Sequence, residues 1–321
     1  MGSPSHDFEE GRIGYLIGSL IGTAIAVGIA WGFVYEYALK VLLSEWPVRG
    51  AVLGSFDVGN VAWWRSLISV AFDLLILVIA IVGTLWVLVN FLKEVRMAGK
   101  WRLYYEIEEA KRDVWIPRLS KWQRIQHLWM IITFTVCAVT GFAANAGIGD
   151  KVALIVTHVY SGIAMGILAI LHFTYYTTQA LILKARGENL KERFPILEFY
   201  SVKFLKNVVS VLMGKKPEPY GKYDPEQLFE YWGIYWGMLV LGIPGFIILL
   251  WGPHVLGGIL WTMHVKEAVL AVTFILMVHI AYTHFRPSIF PLDLTFLTGR
   301  MPRKRALEEH PRWLREISEE A

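Results

Sequence analysis

An all-α integral membrane protein with six transmembrane helices is predicted by three observations. The chain carries apolar runs of spanning length. Basic and basic-poor loops alternate between them. Only 18% of its 321 residues are charged while 55% are hydrophobic. The mean hydropathy of +0.46 agrees. The net charge of +4 raises the question of nucleic acid, but the basic residues gather in the loops, so membrane orientation accounts for them and no nucleic-acid partner is expected. Fourteen tryptophans and fourteen tyrosines suit interfacial belts.

Runs able to cross ~30 Å of hydrocarbon occupy residues 13–35, 66–92, 124–143, 153–183, 230–252 and 260–283, the first to sixth spans. Nine Lys and Arg lie between Lys93 and Arg124, nine between Lys184 and Lys222, and seven between Arg286 and Arg315. The 36–65 loop has three, the 144–152 loop only Lys151, and the 253–259 loop none. The positive-inside rule therefore predicts a multi-pass protein of the inner (cytoplasmic) membrane with both termini in the cytoplasm. The opening MGSPSHDFEEGR has no twin arginine and no basic n-region, and the run behind it exceeds a signal h-region, so the first span is expected to be retained.

The first span reads Gly14-x3-Gly18-x3-Gly22, then Gly28-x3-Gly32. Small residues every four positions let helices approach closely in lipid, first of all within this chain and secondarily against a partner subunit. In the second span, Asp73 follows Arg65 by eight residues; snorkelling to the outer interface weighs as much as a function, and no role is assigned to it. Neither of these spans contains histidine. Residues 1–92 thus read as an N-terminal transmembrane hairpin, 93–123 as an amphipathic basic cytoplasmic connector, 124–283 as a four-helix bundle, and 284–321 as a cytoplasmic tail.

Cys137 is the only cysteine, which excludes a disulfide framework, a cysteine zinc site and a cysteine-ligated cluster. No C-x-x-C-H attaches haem covalently. Nine histidines remain to be explained. His6 and His310 lie in polar tails and are expected to be solvated, and His254 reads as interfacial. Intramembrane histidine is costly unless neutral, paired or bound to metal. The third span starts inside, so His127 lies near the cytoplasmic surface, whereas the fourth and sixth start outside, which sets His158 and His264 near the outer one. His279 follows His264 by fifteen residues, roughly 22 Å deeper and about 60° round the helix. Pairing by depth gives His158 with His264 and His127 with His279, an arrangement suited to two stacked non-covalent b haems. Gly162, four residues after His158, would make room for a macrocycle. His172, fourteen residues after His158, reaches the inner level too and stands as an alternative ligand. His284 lies just beyond the span, within reach of a propionate or quinone.

These residues resemble the cytochrome b (gamma) subunit of respiratory formate dehydrogenase, related to the cytochromes b of nickel–iron hydrogenases and thiosulfate reductases. The resemblance covers about residues 120–321. It rests on Arg124-Ile-Gln-His127, Thr140-Gly141, His158-x3-Gly162, the segment Gly221-Lys-Tyr-Asp-Pro-Glu-Gln227, His264 and His279, Thr298-Gly299-Arg300, and the tail His310-Pro-Arg-Trp-Leu-Arg-Glu-Ile317. It implies two b haems, the outer on His158 and His264 and the inner on His127 and His279. Arg124 and His284 would lie against cofactor. It also implies menaquinone or ubiquinone reduced beside the inner haem, at Tyr223, Asp224 and Gln227 with His279 behind them. The implied partners are an iron–sulfur subunit outside the membrane and a catalytic subunit, of molybdenum or tungsten type, in a complex that can oligomerise further.

The chain departs from this pattern in four ways. It has two extra spans, and one extra residue between the last two ligands. Asp224 stands in place of asparagine, and Ile243-Pro244-Gly245 in place of a Thr-Gly. A hydrogenase or a thiosulfate or polysulfide reductase would use the same electron path. A haem-free anchor or transporter would instead show acidic residues and broken helices at the midplane, of which this chain has little.

Overall fold

The computed structural model describes residues 4–98, 114–188, 190, 194–213, 215 and 218–319. Residues 99–113 of the expected basic connector, 93–123, lie outside these residues. Among the described residues, six helices are long and apolar enough to span a membrane: Gly14–Gly54, Val61–Val95, Lys121–Ala146, Lys151–Ala185, Pro225–Trp251 and Val255–His284. The all-α membrane architecture and the count of six spans are as expected. The chain divides into two compact units, one formed by Met1–Lys111 with Gly237–Asp293, the other by Arg112–Trp236 with Leu294–Ala321.

In the first unit, the hairpin that the sequence sets apart as an appendage packs along the sixth span. Gly18 and Gly22 are where the first span lets aromatic rings close in. A Cβ on Gly18 would lie 2.7 Å from the Phe290 ring and one on Gly22 3.1 Å from that of Phe285. That part of the small-residue stripe therefore serves packing within the chain. Trp31 Nε1 donates to Thr84 Oγ1 at 2.9 Å, tying the first span to the second.

Polar residues here point inward and apolar ones outward, as lipid rather than water demands. Leu74, Val78, Ile81 and Leu85 are exposed, whereas Ser19, Asp73 and Thr273 are fully buried. Asp73 does not snorkel: it is fully buried. Its carboxylate accepts from Arg49, at 3.1 Å, and from Lys266 of the sixth span. Two cations close at hand remove the reason to reach for water. The Lys266 ammonium also donates to the Tyr37 carbonyl at 2.7 Å, inside a π-helical turn, Tyr35–Leu39, that interrupts the first span. That span runs on to Gly54, well past its expected end at 35, because even Pro47 does not break the helix.

In the second unit, Ser120 caps the third span: its side chain accepts from the Gln123 N–H while the Gln123 side chain accepts from the Ser120 N–H. Asp150 caps the fourth span by accepting from Val152 and Ala153. A short antiparallel pair that the sequence does not announce joins β1 (Trp115–Pro117) to β2 (Arg300–Pro302). Behind it, Met301, Ala306 and Trp313 form a small core with Ile116 and Ile317. The tail is thus folded rather than loose.

Candidate functional site: paired histidine cradles and a buried polar cluster

Two of the candidate ligands, one in each unit, are held by the same local device. His158 Nδ1 lies 2.9 Å from the carbonyl of Cys137, and a Cβ on Gly141 would lie 3.0 Å from His158 Cε1. In the other unit, His264 Nδ1 lies 2.9 Å from the carbonyl of Leu241, and a Cβ on Gly245 would lie 2.9 Å from His264 Cε1. In both cases the ring rests on a glycine and bonds to the carbonyl four residues before it. A carbonyl only accepts, so Nδ1 carries the hydrogen and the lone pair belongs to Nε2. A metal-binding histidine is usually oriented in this way, by donating its other nitrogen to a backbone carbonyl. The donor chemistry and the space left by the glycines both fit a haem. The replacement of Thr-Gly in the fifth span therefore keeps the part that matters here, because Gly245 still lacks the Cβ that would collide with the His264 ring.

His279 lies in a π-helical segment, Ile275–His284. A π turn accommodates one extra residue in a helix, which gives a physical reason for the added residue between His264 and His279. Its ring meets that of His284 edge-on at 5.2 Å. His284 is itself buried, and its Nδ1 accepts from the Asp293 N–H at 3.3 Å. In the second unit, the His127 ring packs edge-on against Phe296 at 5.3 Å. Arg124 donates to the Leu297 carbonyl, so the expected cofactor contact competes with a structural one. A Cβ on Gly162 would lie 3.9 Å from Cys137 Sγ, an ordinary contact with the third span.

His172 is engaged on both sides. Nδ1 lies 2.6 Å from Gln126 Oε1 and Nε2 lies 2.9 Å from the Tyr231 hydroxyl. Binding iron would require it to give up one of these partners, which argues against His172 as a replacement ligand.

The segment proposed for quinone gathers in the second unit with the tail. Asp224 Oδ1 accepts from the Gln227 N–H at 2.8 Å, so the aspartate is a helix cap. Surface accessibility leaves Asp224 partly open, but the protein packed round its carboxyl desolvates it. Burial first, then the charge of Glu226, hold it well above the usual carboxylate range, against the Gln227 N–H and Arg118. Burial likewise pushes Tyr223 up. Gln227 Oε1 accepts from Arg118 at 2.9 Å.

His310 is 0% exposed, a correction to its expected place in a solvated tail. Its Nδ1 lies 3.0 Å from the Gly221 carbonyl, and burial, followed by the charge of Arg118, lowers its pKa to about 3. Arg312 donates from one nitrogen to both oxygens of Glu198, at 2.7 and 2.6 Å, and from its backbone to the Tyr220 carbonyl at 3.1 Å. The 220–227 segment and the His310-Pro-Arg-Trp tail are therefore one interlocked element. Arg118 and His310 are the residues that sequence reasoning missed. His310 stood in the tail motif of the resemblance, whereas Arg118 lies before the resemblance begins and counted only towards topology.

The sequence pattern described as prokaryotic cytochrome b561 matches residues 118–295, more than half of the chain. Comparison with curated proteins returns no match.

Proposed function

The chain belongs to the prokaryotic cytochrome b561 family, and we propose that within it this chain carries electrons through two haems b to quinone. Membership makes it a multi-pass membrane protein of electron transport that binds haem b. The finer reading assigns His158 and His264 to the outer haem and His127 and His279 to the inner one. An extracytoplasmic iron–sulfur subunit, of the formate dehydrogenase kind, is the electron donor, and menaquinone or ubiquinone takes electrons and cytoplasmic protons at Tyr223, Asp224 and Gln227. Both termini are cytoplasmic in this scheme, and the membrane is the inner one.

The observation that carries the reading is the repeated cradle. Two histidines in separate units each donate Nδ1–H to a backbone carbonyl, which orients Nε2 as the ligand atom, and each rests against a glycine that spares a Cβ. Haem b supplies reversible one-electron transfer, tuned by its axial imidazoles and its burial. The protein's own work is to fix ring orientation, hold the imidazoles neutral and exclude water. The docked His310-Pro-Arg-Trp tail supports the formate dehydrogenase assignment, since the motif that points to it is built into the fold.

A reduced-minus-oxidised spectrum with haem extraction tests this, with two non-covalent haems b expected per chain. A fully loaded preparation holding one or fewer sinks the reading. His158→Ala and His127→Ala should each remove a different haem, and loss of the same one would show the pairing to be wrong.

A further inference from the structure

Arg118 is a buried cation with no carboxylate at ion-pair distance among the described residues. It is 6% exposed. One terminal nitrogen donates to the Lys222 carbonyl and to Gln227 Oε1, each at 2.9 Å. The other lies 3.2 Å from Met301 Sδ, and the guanidinium sits over the Trp313 ring at 5.7 Å. All of these partners are neutral. Asp224 and Glu309 are close enough to influence it, but burial favours the protonated form of the Asp224 carboxyl, and Glu309 is already paired with Arg305 at 3.0 Å. A buried cation facing neutral acceptors is costlier than a paired one, so this arrangement is poor as mere structure.

Arginine has five N–H donors and no acceptor. The Gln227 atom facing it must therefore be the amide oxygen, which settles an orientation that distances alone leave ambiguous. With the oxygen held, the NH2 group is directed away from Arg118 as a donor. Asp224 caps the same helix turn through the Gln227 N–H, so the side chain and backbone of Gln227 are both anchored.

We infer that Arg118 is a positioning residue of a para-quinone site, turning the Gln227 amide so that its NH2 meets a quinone carbonyl and placing a fixed positive charge beside the oxygen that becomes anionic. This rests on the quinone reading above. In the overall step the quinone takes two electrons from reduced haem b and two protons from water on the cytoplasmic side. Both C=O π bonds are lost and two O–H bonds form, giving the hydroquinone. The cation favours the reduced, negatively charged stage over the neutral quinone, which is the differential binding that speeds a reaction.

The discriminating variant is Gln227→Glu in the full-length, haem-loaded protein. A carboxylate keeps the bond to Arg118 and adds charge pairing, but it leaves no donor. Calorimetric titration with menadione should show the Kd rise about tenfold, as expected for one lost hydrogen bond. Reoxidation of chemically reduced haem should need correspondingly more menadione, with the haem spectrum unchanged and Tm equal or higher. Arg118→Lys, which retains charge but not the fork, should weaken binding less. An unchanged menadione Kd in Gln227→Glu overturns the inference. A lowered Tm does so equally, because a carboxylate facing the guanidinium should be tolerated. If the unsubstituted protein neither binds menadione nor is reoxidised by it, the quinone reading itself fails and takes this one with it.

Discussion

The two units bury charge in opposite ways. In the first, Asp73 sits between Lys266 and Arg49, and Lys266 also holds the Tyr37 carbonyl. Arg49 also pairs with the Glu45 carboxylate, so two carboxylates offset two cations. In the second, Arg118 faces neutral atoms, Asp224 is driven towards protonation, and His310 is kept neutral. A closed network of charges holds helices together and leaves nothing over for a ligand. An open one leaves a field and oriented donors. The difference separates the unit that carries the extra hairpin from the unit where quinone chemistry is proposed.

Asp73→Ala should break the closed network with the largest effect. It strands the buried Lys266 ammonium, while Arg49 keeps the Glu45 carboxylate, and removing one partner of a buried pair typically costs about 3–5 kcal/mol. Thermal unfolding in detergent measures this. Asp73→Leu with Lys266→Met, which removes the central pair together, should recover most of the loss. If the double variant is as unstable as the single one, the network is not what clips the second span to the sixth.

Asp224→Asn probes the open network with a smaller effect. Asparagine keeps a helix cap but gives no proton. If the carboxyl relays protons, quinone reduction should fall by about 10²-fold, within the range of general acid–base catalysis. In the unsubstituted protein the rate should fall as pH rises through the raised pKa of Asp224, because only the protonated carboxyl can give its proton. The asparagine variant should lack that dependence. Full activity at every pH in Asp224→Asn would leave the residue as a cap alone.

The smallest effect concerns the tail. His310 stays neutral when docked, with a pKa lowered to about 3 from 6.5. Below pH 6.5 the undocked tail takes a proton that the docked one refuses, so docking weakens as pH falls and is insensitive above 6.5. The slope approaches ~1.4 kcal/mol per pH unit for one proton. Protease cleavage near Pro311 should accelerate between pH 7 and pH 5, and His310→Gln should remove most of that acceleration. Equal cleavage at both pH values would contradict the burial of this histidine.

Helix number and membrane character were legible in the sequence, because span length and apolar content are set by the bilayer and need no tertiary partner. The histidines were legible for the same reason, since an imidazole in hydrocarbon demands an explanation wherever it packs. What surrounds them was not. The Cys137 and Leu241 carbonyls that orient His158 and His264 belong to other helices, and a carbonyl leaves no mark in the order of side chains. The extra residue before His279 looked like a departure until the π segment absorbed it, a change in hydrogen-bond ladder that spacing alone does not reveal. Neighbours in sequence left Asp73 without a role and put His310 in a solvated tail, yet each is buried with a partner more than eighty positions away, the Lys266 ammonium and the Gly221 carbonyl. Local composition determines whether a segment enters the membrane. Which polar group is worth burying depends on partners that only the folded chain brings within hydrogen-bonding distance.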